Sequence, residues 1–193
     1  KISYLQEGSM PIETSEKVRT AWVIDSAHSV IEFSVRHMVV STVKGYFRRF
    51  EGIIHADEDQ PENSQVEAKI EASSIDTGDS KRDEHLRSDD FFNAERFPYI
   101  SFSSTKIERT GENTADVHGN LTIRDVTLPV VLRTTFEGQL IDAYGKQRAA
   151  FSAETEINRK DYGLRWNALL ESGQAVVSDR VKITLYIAAV KSE

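Results

Sequence analysis

The densest run of chemically capable side chains is residues 75–92, IDTGDSKRDEHLRSDDFF. Asp83, Glu84 and His85 are adjacent there, with Arg82 and Arg87 on either side. A carboxylate beside an imidazole can move protons, or hold a metal if a third ligand joins it. The same residues also suit a charged helix. Ser80 and Asp83 have the spacing of a capping box with Asp in place of Glu, and Asp83–Arg87 and His85–Asp89 are i,i+4 pairs. Leu86, Phe91 and Phe92 would dock such a helix on a scaffold. Two readings stand at this level: an enzyme acting on a small lipophilic substrate through Asp83 and His85, or a structural helix.

The remaining chemistry is sparser. The histidines are His28, His37, His55, His85 and His118, and no HxH or HExxH spacing links them. There is no cysteine, so thiolate metal sites and disulfides are excluded. No metal ligand is assigned. Ser-His-Asp sets can be drawn around His28 or His85, but no GxSxG elbow accompanies them. Asn158-Arg159-Lys160-Asp161 offers a cation at a strand end. Arg159 could grip a phosphate or quinone head with paired donors, or fix a turn through a salt bridge. His37, also at a strand end, is the second head-group candidate.

The chain of 193 residues suits one domain that buries a core without staples. Its net charge of −7 argues against nucleic acid as a general partner. No apolar run reaches the roughly 18 residues of a membrane-spanning helix. The start, KISYLQEGSM, lacks the apolar stretch of a signal peptide. Gly8-Ser9-Met10 has the look of a cloning remnant, with Met10 the native start. Residues 1–20 are expected to be disordered or cloning-derived, and residues 21–193 to form the domain. On that reading the protein is cytoplasmic; removal of a signal peptide would make it periplasmic or secreted.

The elements that must position these groups are strands. Period-two alternation runs through most of the chain. One face collects Ile31, Phe33 and Val35; then Val66, Ala68, Ile70 and Ala72; then Ile100, Phe102 and Ser104. It continues through Ala115 to Ile123, Val126 to Phe136, Phe151 to Ile157 and Val181 to Ala189. Ala21–Asp25 reads as an opening strand and Tyr46–Ala56 as a less regular one, with Gly52 a candidate bulge. Thr110–Asn113 and Asp142–Gly145 read as hairpin loops. Two segments break the pattern: His37–Gly45, read as one or two helical turns capped by Gly45, and Ser80–Phe92, read as a helix. Eight or nine such strands fit a two-sheet sandwich or a closed barrel.

The order of several motifs then resembles the YceI-like family. They are Trp22–Ser29, Phe33–His37, Gly45-Tyr46-Phe47, Phe50-Glu51-Gly52, Ser74–Gly78, Arg82–Ser88, Asp90-Phe91-Phe92, Phe97-Pro98, Ile100-Ser101-Phe102, Gly119–Ile123 and Asn158–Gly163. The resemblance covers about Trp22 to Val190. It implies an all-β fold, an eight-stranded antiparallel lipocalin-like β-barrel with one or two short helices. It further implies an apolar tunnel binding a long isoprenoid lipid (a polyprenyl phosphate or a ubiquinone-type molecule), a homodimer, no cofactor beyond that lipid and no enzymatic activity. The alternation supplies the expected tunnel lining: Phe33, Val35, Ile70, Phe102, Leu121, Leu132, Phe136, Phe151, Ile183 and Leu185.

Overall fold

The computed structural model describes residues 19–192. The expectation for the N-terminal segment falls almost wholly on residues 1–18, outside the described residues.

Eleven strands form one continuous antiparallel sheet that closes on itself. β1 (Thr20–Ile24) and β2 (Val30–His37) both lie along β11 (Val177–Lys191), and a 3-10 turn at Ser26–His28 kinks the chain between them. β3 (Ser41–Phe47) and β4 (Phe50–Ala56) pair with β2 and β1 and are separated at Arg48-Arg49. β5 (Gln65–Glu71) and β6 (Ile75–Asp76) flank a further 3-10 turn. Each of these pairs is one bent barrel strand. With β7 (Tyr99–Arg109), β8 (Thr114–Ile123), β9 (Val126–Ile141), β10 (Gln147–Asn158) and β11 they make an eight-stranded closed barrel. Closure removes the free edges that an open sheet would leave, and it selects the barrel over the sandwich. The single α-helix among the described residues, α1 (Ser80–Arg87), is inserted between β6 and β7.

The segment His37–Gly45 is not helical. It is a hairpin: Met38 and Val39 take positive φ values of 50° and 65°, and Ser41–Phe47 pairs with β2. The β-branched residues prefer the pleated strand, and Gly45 is an interior strand position rather than a helix cap. The reason for glycine there is space. A Cβ on Gly45 would lie 2.3 Å from the ring of its cross-strand partner Phe33. Gly119 is the parallel case: a Cβ would come within 2.4 Å of the Phe102 ring and 2.6 Å of the Ser103 carbonyl oxygen. In both places an inward phenylalanine occupies the room over an inward glycine. Gly52, read as a bulge, sits in regular register opposite Ala68.

Two irregularities adjust which residues face inward. A register shift in β7 between Ser104 and Lys106 changes the parity, so Ile107 joins the buried set opposite Val117. A second shift, opposite Ala150/Phe151, leaves Glu137 of β9 as the extra residue. The core falls into two clusters. The larger includes Phe47, Ile70, Ile75, Phe102, Leu121 and Tyr162, and the smaller is built on Trp22, Ala149 and Ala189 at the opposite end.

Candidate functional site: a cleft where the barrel wall opens

The β9–β10 ladder does not run the length of the strands. It begins at Gln147↔Ile141 and stops at Glu154↔Arg133. Beyond that point β10 continues to Asn158 paired with β11 alone, while β9 from Val126 to Leu132 is paired with β8 alone. The wall therefore opens along a seam. Pro129 lies in the unpaired stretch, where one side of the strand has no ladder to complete and a residue without an N–H is tolerated. After β10 the 3-10 turn Arg159–Tyr162 bends against β9 and fills part of the gap. Asn158 caps that turn by accepting from the Lys160 N–H at 3.0 Å, and Gly163 closes it with φ 81°.

A cavity of about 780 Å³ occupies the seam. Its depth is apolar, formed by Gly119, Leu128, Val130 and Ile157 from inward-facing rows. Its outer lining is mixed, with Thr105, His118, Arg133, Glu156, Asn158 and Asp161 beside the exposed apolar Pro129 and Val131. The basic side chains of the rim are already engaged. His118 meets Glu108 at 2.7 Å and Arg133 meets Glu154 at 3.6 Å. Glu156 pairs with Arg180 at 2.8 Å.

Two hydroxyl-bearing residues line the same cavity from within the fold. Tyr162 is 2% exposed and Thr155 is 8% exposed. Neither hydroxyl is hydrogen-bonded to another described residue, and neither oxygen is fully buried, so both are open to the cavity. Both hydroxyls are therefore available to water or to a ligand in the cavity. Burial, with the neighbouring carboxylate of Asp161, pushes the Tyr162 phenol up to about 12. The phenol therefore stays protonated and able to donate.

The residues named from sequence are distributed differently. Ile70, Phe102 and Leu121 are buried in the larger cluster, and Phe33, Leu132 and Ile183 pack against it. Phe136 and Phe151 pack on the smaller cluster with ring centroids 5.5 Å apart. Val35 and Leu185 lie half-buried on the same inward rows. None of the ten lines the seam cavity, whose apolar depth draws instead on their neighbours Leu128, Val130 and Ile157.

Arg159 is 5% exposed, and its guanidinium is turned onto the protein. It donates to the carbonyl oxygens of Leu164, Trp166, Ser178 and, at 3.4 Å, Val177. These bonds pin the segment between β10 and β11. His37 sits half-buried at the end of β2, opposite Ser41 and Val177.

The Asp83/His85 region resolves into bonds that hold the fold. The cap of α1 is Asp79, which accepts from the Arg82 N–H at 3.0 Å, in place of the Ser80–Asp83 box. Asp83 is buried and accepts from the Thr77 N–H at 2.9 Å and the Thr77 hydroxyl at 2.6 Å. Arg87 donates to the carbonyls of Ser73 and Ile75 rather than pairing with Asp83. His85 meets Asp90 at 2.7 Å, not Asp89, and lies edge-on to Phe91 and Trp166. Asp83 and His85 share no bond. Among the described residues no three His, Asp or Glu side chains could hold a metal together, and no serine hydroxyl is bonded to a histidine ring.

Comparison with known proteins places this architecture. The model of the YceI-like domain matches residues 22–189. A UPF0312 protein of Azotobacter vinelandii is 34% identical over 166 residues, 85% of this chain and 86% of the relative. The chain belongs to the YceI-like family. Among solved structures, BcnA of Burkholderia cenocepacia superposes with a TM-score of 0.76 at 22% identity, covering 86% of this chain and 98% of that one. A polyisoprenoid binding domain from Saccharophagus degradans superposes with a TM-score of 0.68 at 16% identity, covering 90% and 99%. At such identities these two likenesses speak for the closed barrel and not for a ligand.

Alternation could not reveal the seam cavity of this YceI-like barrel, because pairing between strands leaves no mark on a single strand's pattern. Two local signals existed: Pro129 in the middle of an otherwise regular row, and Thr155 as a hydroxyl between Ala153 and Ile157.

Proposed function

We propose that the barrel binds a long isoprenoid lipid and holds it for carriage, storage or sequestration. The observation that carries this reading is the seam cavity, apolar in depth and mixed in its outer lining, opening through the wall of a closed barrel. A cavity of this size lies within the range of small-molecule sites. Each buried methylene contributes about 0.8 kcal/mol, so a chain needs few polar contacts to bind tightly. The partly buried inward residues Phe33, Val35, Leu132, Ile183 and Leu185 offer further apolar surface to a tail that runs past the cavity. The Saccharophagus degradans domain, whose fold this chain shares, is itself named for binding a ligand of this class. Catalysis through Asp83 and His85 finds no support, since each is engaged with a different partner and neither lines the cavity.

Organic extraction of the purified protein followed by mass spectrometry is expected to yield an isoprenoid lipid. A clean extract from a protein that also takes up no added lipid would count against the reading.

A further inference from the structure

The end of the barrel at which the seam opens carries a surface that the lipid-binding reading does not use. β10 ends there at Asn158, opposite Arg180, and β2 ends at His37, opposite the start of β11 at Val177. Beyond these strand ends two loops project. The β2–β3 turn presents Met38, Val39 and Val40, and the loop before β11 presents Leu169. We propose that this apolar tip is a membrane-docking surface, which seats the barrel on a bilayer bearing anionic headgroups.

Four observations support it. First, the tip is apolar, exposed and built as one unit. Val40 is 89% exposed, Leu169 72%, Val39 51% and Met38 45%. The Met38 N–H donates to the Val176 carbonyl at 2.8 Å, and the Val176 N–H donates to the carbonyl of Ala168, next to Leu169, at 2.9 Å. A bridge between Leu169 and Ala175 folds the second loop into a short hairpin. Second, the backbone holds these side chains out at a cost. Met38 and Val39 both take positive φ, and a β-branched residue rarely does so. Third, the charge near the tip is opposite to that of the chain. Residues 36–42 and 165–176 carry Arg36, Arg165 and a single acid, Glu171, in a protein of net charge −7. Arg36 donates to the Val39 carbonyl at 2.9 Å, and neither arginine forms an ion pair among the described residues. Asp179, the next acid along the chain, is taken up by Arg159 and Lys160. Apolar side chains flanked by unpaired arginines match the acyl and headgroup layers of an anionic membrane. Fourth, a projecting tip suits a bilayer better than a protein. A stable protein interface needs roughly 800 Å² from each partner, whereas a bilayer closes around a small apolar projection. Docked by this end, the barrel holds its seam beside the membrane, the source of the tails that the proposed function requires. Docking itself needs only the tip.

The test is co-sedimentation of the whole protein with vesicles of phosphatidylcholine containing phosphatidylglycerol, and of phosphatidylcholine alone. Wild type is expected to partition onto the anionic vesicles and to be released by high salt. Val40→Asp and Leu169→Asp should each lower that partition at least about tenfold. Arg36→Gln should lower it about fivefold on the anionic vesicles and leave the neutral ones unaffected. Val40→Trp should raise it and blue-shift the tryptophan emission when vesicles are added. Ile141→Trp and Ile141→Asp, at the exposed β9–β10 turn of the opposite end, should do neither and serve as controls. Urea midpoints equal to that of wild type show that each variant is folded. Wild type and Val40→Trp that both stay in the supernatant would overturn the proposal, as would partition lost through Ile141→Asp and kept in the tip variants. A concentration-dependent dimer that Val40→Asp dissociates, with no partition onto vesicles, would overturn it in favour of a second copy of this chain. Lipid taken up from detergent by a protein that ignores vesicles would sink the docking surface and leave the lipid-binding reading standing.

Discussion

The α1 neighbourhood and the β9–β10 seam contrast in how their buried polar groups are satisfied. Around α1 the charged side chains turn onto the protein: Asp79 onto a helix N–H, Asp83 onto Thr77, Arg82 onto Thr77 and Arg87 onto two carbonyls. At the seam the polar content is modest, and the Tyr162 and Thr155 hydroxyls open onto the cavity with no hydrogen-bond partner among the described residues. The crowded region holds the fold and the sparse one has unspent hydrogen-bonding capacity. Density of chemical groups is therefore a poor guide to a site. What marks a site is a polar group left open to a cavity instead of being spent on the fold.

The contrast can be broken by mutation, and the largest effect belongs to the helix region. Asp83→Ala takes the acceptor from the Thr77 N–H and hydroxyl in a half-buried place, and it should cost about 3 kcal/mol. The urea midpoint should fall with an unchanged slope, while the folded fraction still takes up lipid. Loss of uptake by folded protein would show that Asp83 does more than hold the helix.

Gly119→Ala connects the two regions of the barrel interior. The added methyl meets the Phe102 ring and the Ser103 carbonyl, so a destabilisation of about 2 kcal/mol is expected. Because Gly119 also lines the cavity, lipid uptake should fall along with stability. Unfolding curves and uptake measured on one preparation would check both.

The smallest effect on stability is expected at the seam. Tyr162→Phe removes a hydroxyl with no partner among the described residues, so stability should change by less than about 1 kcal/mol. Its titration is the sharper measurement. An unfolded tyrosine ionises near 10, whereas Tyr162 in the fold is held up to about 12. The folded state thus keeps the phenol neutral where the unfolded state gives up its proton. The stability this contributes is fully present below about pH 10 and is lost as the pH rises through about 12. Phenolate absorbance of wild type should show a late phase that Tyr162→Phe lacks. A wild-type curve without that phase would show that the phenol is not buried as described.

Several of these features could be read in advance from particular residues. Alternation from Ala115 to Ile123 and from Val181 to Ala189 placed the inward rows, because a strand turns alternate side chains to opposite faces. The helix after Ser80 was also legible. Its partners were not, because i,i+4 spacing says which side chains can meet and not which nearer acceptor will win. Asp83 and Arg87 each found one on the preceding segment. The hairpin at Met38–Val39 was misread because its turn residues adopt positive φ without a glycine or asparagine to announce it.

The sequence by itself determined that the chain makes strands, which side chains face inward, that it belongs with the YceI-like proteins, and that no thiol chemistry is available. These follow from local periodicity, motif order and composition. Only the tertiary structure decided that the sheet closes, that β9 and β10 part beyond Glu154, and that Tyr162 and Thr155 line one cavity. Those outcomes depend on register between strands and on which groups are left over once every nearer hydrogen bond has been made. Both are properties of the whole packing, to which no single stretch of sequence has access.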